Sequence, residues 1–77
     1  MGKINRAAAD AVREAIDGAR PRVTQRAVSD EARITASTWR RRMTGATAFR
    51  VDEFVTVARL LGKNPGELLD RIARESA

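Results

Sequence analysis

Apolar residues along the chain recur at spacings of three and four, never in strict alternation, and the polar residues between them fall on opposite faces. From Ile4 to Ala19 the apolar positions are Ile4, Ala8, Ala11, Val12, Ala15, Ile16 and Ala19, while Arg6, Asp10, Arg13, Glu14 and Asp17 occupy the other faces. That period predicts an amphipathic first helix, with Asn5 as its N-cap and Gly18 with Pro21 as its stop. Thr24 is placed to cap a second helix, because its hydroxyl can accept a backbone N–H two or three residues on and Val23 can pack on Val28 across the cap. Val28 and Ala32 then face inward, and the small residues Ala27, Ser29 and Ala32 leave room for a closely crossing helix. Ile34 is expected to be buried in a connection of about three residues. Thr35 caps a third helix that runs through Trp39 and Met43 to Thr44, where Gly45 supplies the left-handed residue that commonly follows a helix. Ala46 to Arg50 reads as a loop.

Val51 to Leu61 forms a fourth helix on the same criterion, with Val51, Phe54, Val55, Ala58 and Leu61 on its apolar stripe and Gly62 as its stop. Asn64-Pro65-Gly66-Glu67 is a compact start signal, with Asn as N-cap, Pro at the first helical position and Glu three residues after the cap to reach back to the cap's N–H. A fifth helix follows through Leu68, Leu69 and Ile72. There is no internal repeat and no low-complexity tract. The fold class expected is all-α, a single domain over residues 1–77 of about five helices around one core containing Val28, Ala32, Ile34, Trp39, Met43 and Phe54.

Charge changes this picture by being localised. The 77-residue chain carries a net +5. Between positions 20 and 50, however, eight arginines face only two acids, Asp30 and Glu31, while the rest of the chain has seven basic and eight acidic side chains. The whole excess therefore lies on the second and third helices and their flanks, as on a phosphate-binding surface; a solvated basic face without a partner is the plain alternative. Thirteen of the fifteen basic residues are arginine, whose planar fork suits phosphate and guanine, although a GC-rich genome would give the same bias.

Composition narrows the chemistry. Cysteine and histidine are both absent, which removes disulfides, thiolate nucleophiles, zinc-finger ligands and the commonest general base. A chain of this size buries only roughly 60–65% of its unfolded surface, leaving little room for an enclosed active site. No enzyme activity, metal, cofactor or small-molecule ligand is expected. No apolar run approaches the roughly 20 residues that span a bilayer, so a soluble cytoplasmic protein of a bacterial cell, without membrane partners, is the expectation.

Taken together, Thr24-Gln25 opening the second helix, Val28 and Ala32 inside it, Ile34 in the turn, Thr38-Trp39 and Gly45 resemble the helix-turn-helix domains of phage repressors and Cro proteins and their bacterial relatives. Ala58-Arg59-Leu60-Leu61-Gly62, followed by Glu67-Leu68-Leu69, is similar to the family's fourth and fifth helices, so the resemblance covers about residues 4 to 72. Three departures stand out. Arg33 occupies a turn position where the family usually has glycine, Arg42 stands where an apolar residue is common, leaving Met43 to take over the core contact, and Ser29 replaces an alanine.

The resemblance implies a lambda-repressor-like domain with its helix-turn-helix at about residues 24–45. Helix three lies in the major groove of operator DNA while the neighbouring helix crosses the backbone. With Ile34, Trp39 and Met43 turned inward, Ala36, Ser37, Arg40, Arg41 and Thr44 are the residues expected at base edges. Gln25, Arg26, Thr35, Thr38, Thr47 and Arg50 are those expected at the phosphate backbone, with capping an alternative role for Thr35 and Thr38. A Cro-like or immunity-type repressor is the function implied, and a DNA-binding fragment of a longer repressor would read almost identically. An antitoxin or restriction-modification controller of the same fold, or a basic helical module that binds an acidic protein, are the alternatives. Such regulators commonly dimerise on half-sites one helical turn apart; Phe49, Val51, Leu60 and the last helix are candidate homodimer residues, each equally a candidate for the core.

Overall fold

The first helix, α1 (Lys3–Ala19), is the longest, and its buried side Ala9, Ala11, Val12 and Ile16 gives the other helices a surface to pack on. The computed structural model describes residues 2–77, and these form four further helices, α2 (Gln25–Glu31), α3 (Ala36–Met43), α4 (Val51–Leu60) and α5 (Pro65–Glu75), with no strand among the described residues. α1 packs against α3 and α5, α4 packs against α5 and α2, and α2 packs against α3. One core results, built from Val12, Ile16, Val28, Ile34, Trp39, Met43, Phe54, Val57, Ala58, Leu68 and Ile72. The radius of gyration of 11.3 Å is close to the ~11.5 Å expected for a compact domain of this length. None of the helices is long and apolar enough to cross a membrane among the described residues.

The predicted caps at Thr24, Thr35 and Asn64 all form. Their side-chain oxygens accept the backbone N–H groups of Ala27, Thr38 and Glu67 at 3.1, 3.4 and 3.1 Å, each satisfying one of the donors a helix start leaves unpaired. Gly45 and Gly62 follow α3 and α4 with φ of 81° and 69°, as their positions predict.

Four expectations are corrected. Asn5 is not an N-cap: α1 starts at Lys3, because the Arg6 N–H already bonds to the Gly2 carbonyl and an extra turn forms ahead of it. Gly18 remains helical, and α1 ends at Ala19 where Arg20, the residue before Pro21, turns extended. In α4 the interior residue is Val57, fully buried, whereas Val51 at the helix start is 81% exposed. Ala32 is only partly buried; it sits at the C-cap of α2 and packs on the edge of the core. Ile4 and Leu69 are also exposed, and with Val51, Ala8 and Phe49 they border a shallow apolar groove of about 130 Å³. Leu60 is exposed on the outer face of α4.

Candidate nucleic-acid interface

Residues 32–35 join α2 to α3, and the connection depends on one unusual backbone conformation. Arg33 adopts φ 59°, the left-handed region that favours glycine, and the Ile34 N–H returns to the Ser29 carbonyl at 2.9 Å. Ile34 is thereby driven into the core, and Thr35 starts α3 at once. Ser29, the departure from alanine, is buried without cost, since its hydroxyl donates to the Arg26 carbonyl at 3.0 Å.

Once Ile34, Trp39 and Met43 are inside, the opposite side of α3 is fixed by the helical period. Ala36, Ser37, Arg40, Arg41 and Thr44 are all exposed on it. Among the described residues neither Arg40 nor Arg41 has an acidic partner within 4 Å, unlike Arg13, Arg20, Arg26, Arg42, Arg50, Arg71 and Arg74. Arg40 and Thr44 also border a groove of about 520 Å³ between α2 and α3, with Trp39 and Gln25 on its walls. The Thr44 hydroxyl donates back to the Arg41 carbonyl at 3.2 Å, so towards a partner it can act only as an acceptor in this rotamer.

The residues expected at a phosphate backbone divide into two groups. Gln25, Arg26, Thr35 and Arg50 are exposed. Arg26 is 4.0 Å from Asp30, and Arg50 is 3.4 Å from Asp52, surface pairs that are weak and easily exchanged for another anion. Thr38 and Thr47 are half-buried and already engaged. Thr38 accepts the Thr35 hydroxyl at 3.0 Å. Thr47 accepts from the Arg42 guanidinium at 2.7 Å, so its hydroxyl serves the loop first.

Arg42 itself is a structural residue. Its guanidinium donates to both carboxylate oxygens of Glu53, at 2.9 and 3.4 Å, and the two side chains are only 14% and 16% exposed. Glu53 also accepts the Arg50 N–H at 2.9 Å, so one carboxylate caps α4 and ties α3 to it. The hydrogen bonds from Arg42 outweigh the cost of shielding and hold the Glu53 carboxyl below its ordinary value. Met43 takes the core contact, 5% exposed.

Three supporting interactions escaped the sequence. Besides Glu53, Arg13 of α1 donates to the Met43 carbonyl at 2.8 Å, bringing a cation to the C-terminal end of α3 where it opposes the helix dipole. Arg13 is one of several charged residues on the polar side of an amphipathic helix, and nothing in the sequence singles it out. The third is the pairing of Trp39 with Gln25: the indole N–H donates to Gln25 Oε1 at 3.1 Å. The ring of Trp39 meets Phe49 edge-on at 6.1 Å between centroids, and Phe49 meets Phe54 at 6.3 Å, so Phe49 links the two core aromatic residues. Groups of three or more acidic, His or Cys side chains that could hold a metal ion are absent among the described residues. No protein-family model, curated protein or solved structure matches this chain.

Proposed function

We propose that the protein is a sequence-specific binder of duplex DNA that regulates transcription, with α2 and α3 acting as a helix-turn-helix and α3 entering the major groove. The observation that carries this reading is the solvent face of α3. Ala36, Ser37, Arg40, Arg41 and Thr44 share one exposed side, its two arginines lack acidic partners among the described residues, and the local excess of positive charge surrounds it. An arginine fork on the O6 and N7 of guanine is worth roughly 1–3 kcal/mol of discrimination. Ser37 adds a hydroxyl and Ala36 a methyl of the size that meets thymine. Arg26 and Arg50 flank the face as phosphate contacts. As a repressor of this kind, the protein would act by occupying an operator that overlaps a promoter.

The test is enrichment of randomised duplex DNA by the purified protein, with the bound fraction sequenced and titrated at two salt concentrations. A defined motif and a steep salt dependence, with a log-log slope of about −0.9 per phosphate neutralised, are expected. Two inverted copies one helical turn apart would mean that two molecules bind together. Arg40→Ala and Arg41→Ala should leave the fold intact and weaken binding, and loss of preference at a single base pair identifies a base contact, whereas equal loss on all sequences identifies a phosphate contact. Binding without preference rejects sequence-specific regulation in favour of an architectural role on DNA, and no binding, or a flat salt dependence, favours a basic module for an acidic protein partner.

A further inference from the structure

We infer that Trp39 is a positioning residue for Gln25, and that the core-anchored indole turns the Gln25 amide N–H₂ outward as a fixed donor pair for a backbone phosphate of DNA. The inference rests on the duplex-DNA reading above and adds to it the device that orients one contact.

A glutamine at the exposed start of a helix would ordinarily sample many rotamers, and its carboxamide has two ends of similar shape and opposite hydrogen-bonding character. Here the chemistry of the partner removes the ambiguity. An indole N–H can only donate, so only the carboxamide oxygen can meet it at 3.1 Å. Nε2 is then the outward group, and among the described residues it makes no hydrogen bond. The anchor is rigid. Trp39 is 7% exposed and set in the core beside Phe49, and it lines the α2–α3 groove together with Gln25, Arg26, Arg40 and one acid, Asp30, which lies 4.0 Å from Arg26. Two free N–H donors in a groove that Arg26 and Arg40 also line suit an anionic oxygen ligand and match the positive charge of the segment. A phosphate of the duplex backbone is the ligand of that chemistry which the adjacent α3 face would bring within reach. Ordering a flexible side chain before binding spares the entropy that docking would otherwise cost.

A double-mutant cycle on the full chain tests this, with a labelled mixed-sequence duplex about two helical turns long and affinity measured by anisotropy at low salt. A phosphate contact is sequence-independent, so no operator is needed. Gln25→Ala and Trp39→Phe should each weaken binding about three- to tenfold, and the double variant should lose no more than Gln25→Ala alone, because the indole acts only through the carboxamide. Multiplying losses, or an unaffected Gln25→Ala, would overturn the inference while leaving DNA binding in place. A wild-type protein that fails to bind the duplex at all overturns both the inference and the function it rests on. Should Trp39→Phe not fold, Gln25→Glu decides. It still accepts the indole but offers no N–H and repels phosphate, so it should keep the fold and bind more weakly than Gln25→Ala; wild-type affinity would refute the idea. The chain has a single tryptophan, so its indole N–H resonance reports the bond directly and should shift in Gln25→Ala.

Discussion

Replacing Glu53 by glutamine keeps the side chain's shape and an oxygen able to accept the Arg50 N–H, but removes the charge that Arg42 grips from the last turn of α3. The expected loss lies between two limits. An ion pair in open water contributes about 0.2–1 kcal/mol, and stripping one partner from a deeply buried pair costs about 3–5 kcal/mol. The Arg42–Glu53 pair is shielded by its neighbours, with 14% and 16% of the side chains exposed. It nevertheless lies at the rim of the fold, where water screens it, so Glu53→Gln should cost about 1–2 kcal/mol, or a fall in Tm of about 4–16 °C for a domain of this size. Glu53→Ala also deletes the cap on Arg50 and should cost about 1 kcal/mol more. The pH dependence has a definite sign. The folded carboxyl lies below its ordinary value of 4.5, so the pair's stabilisation is complete above that value and drains away as pH falls through the folded one. Urea unfolding followed by circular dichroism should therefore give a wild-type advantage over Glu53→Gln that is constant from neutrality to about pH 5 and shrinks at lower pH. Equal stability of the two proteins at neutral pH, or a difference that persists undiminished into strong acid, would refute this account of the pair.

Arg33→Gly should stabilise the fold by about 0.5–1 kcal/mol, because φ 59° is unfavourable for arginine and free for glycine; a lower midpoint in urea would contradict it. Gly45→Ala should cost about 1–3 kcal/mol, since φ is 81° and an added Cβ would stand 3.2 Å from the Arg6 Cα, a backbone atom that cannot swing aside; thermal unfolding unchanged from wild type would count against the close approach of α1 to the end of α3. Val57→Ala should cost about 2 kcal/mol and Val51→Ala less than about 0.5 kcal/mol, the reverse of what the position of Val51 on the apolar stripe alone would give, and parallel urea titrations distinguish them.

What the sequence revealed and what it hid separate by the range of the interaction. Thr24, Thr35 and Asn64 were legible as caps because each bond runs from a side chain to the backbone three residues on, and nothing distant can alter it. Asn5 has the same capping chemistry but failed because no helix end falls there. The solvent face of α3 was legible by subtraction: with Ile34, Trp39 and Met43 inside, geometry leaves Ala36, Ser37, Arg40, Arg41 and Thr44 outside. α4 was harder, because Val51, Phe54, Val55, Val57 and Ala58 all fit a broad apolar stripe, and only the packing of α2 and α5 selects Val57 for the interior and leaves Val51 at the unpacked helix start. Wholly hidden were the long-range contacts that hold the candidate interface in place. Glu53 lies eleven positions from Arg42, Arg13 thirty from Met43 and Gln25 fourteen from Trp39. No periodicity or capping rule connects such positions, since each pair exists only after the helices have packed. A substitution at Glu53 or Arg13 would therefore look harmless in the sequence of α3 yet displace the surface that α3 presents, so the exposed face and its hidden supports need to be varied together.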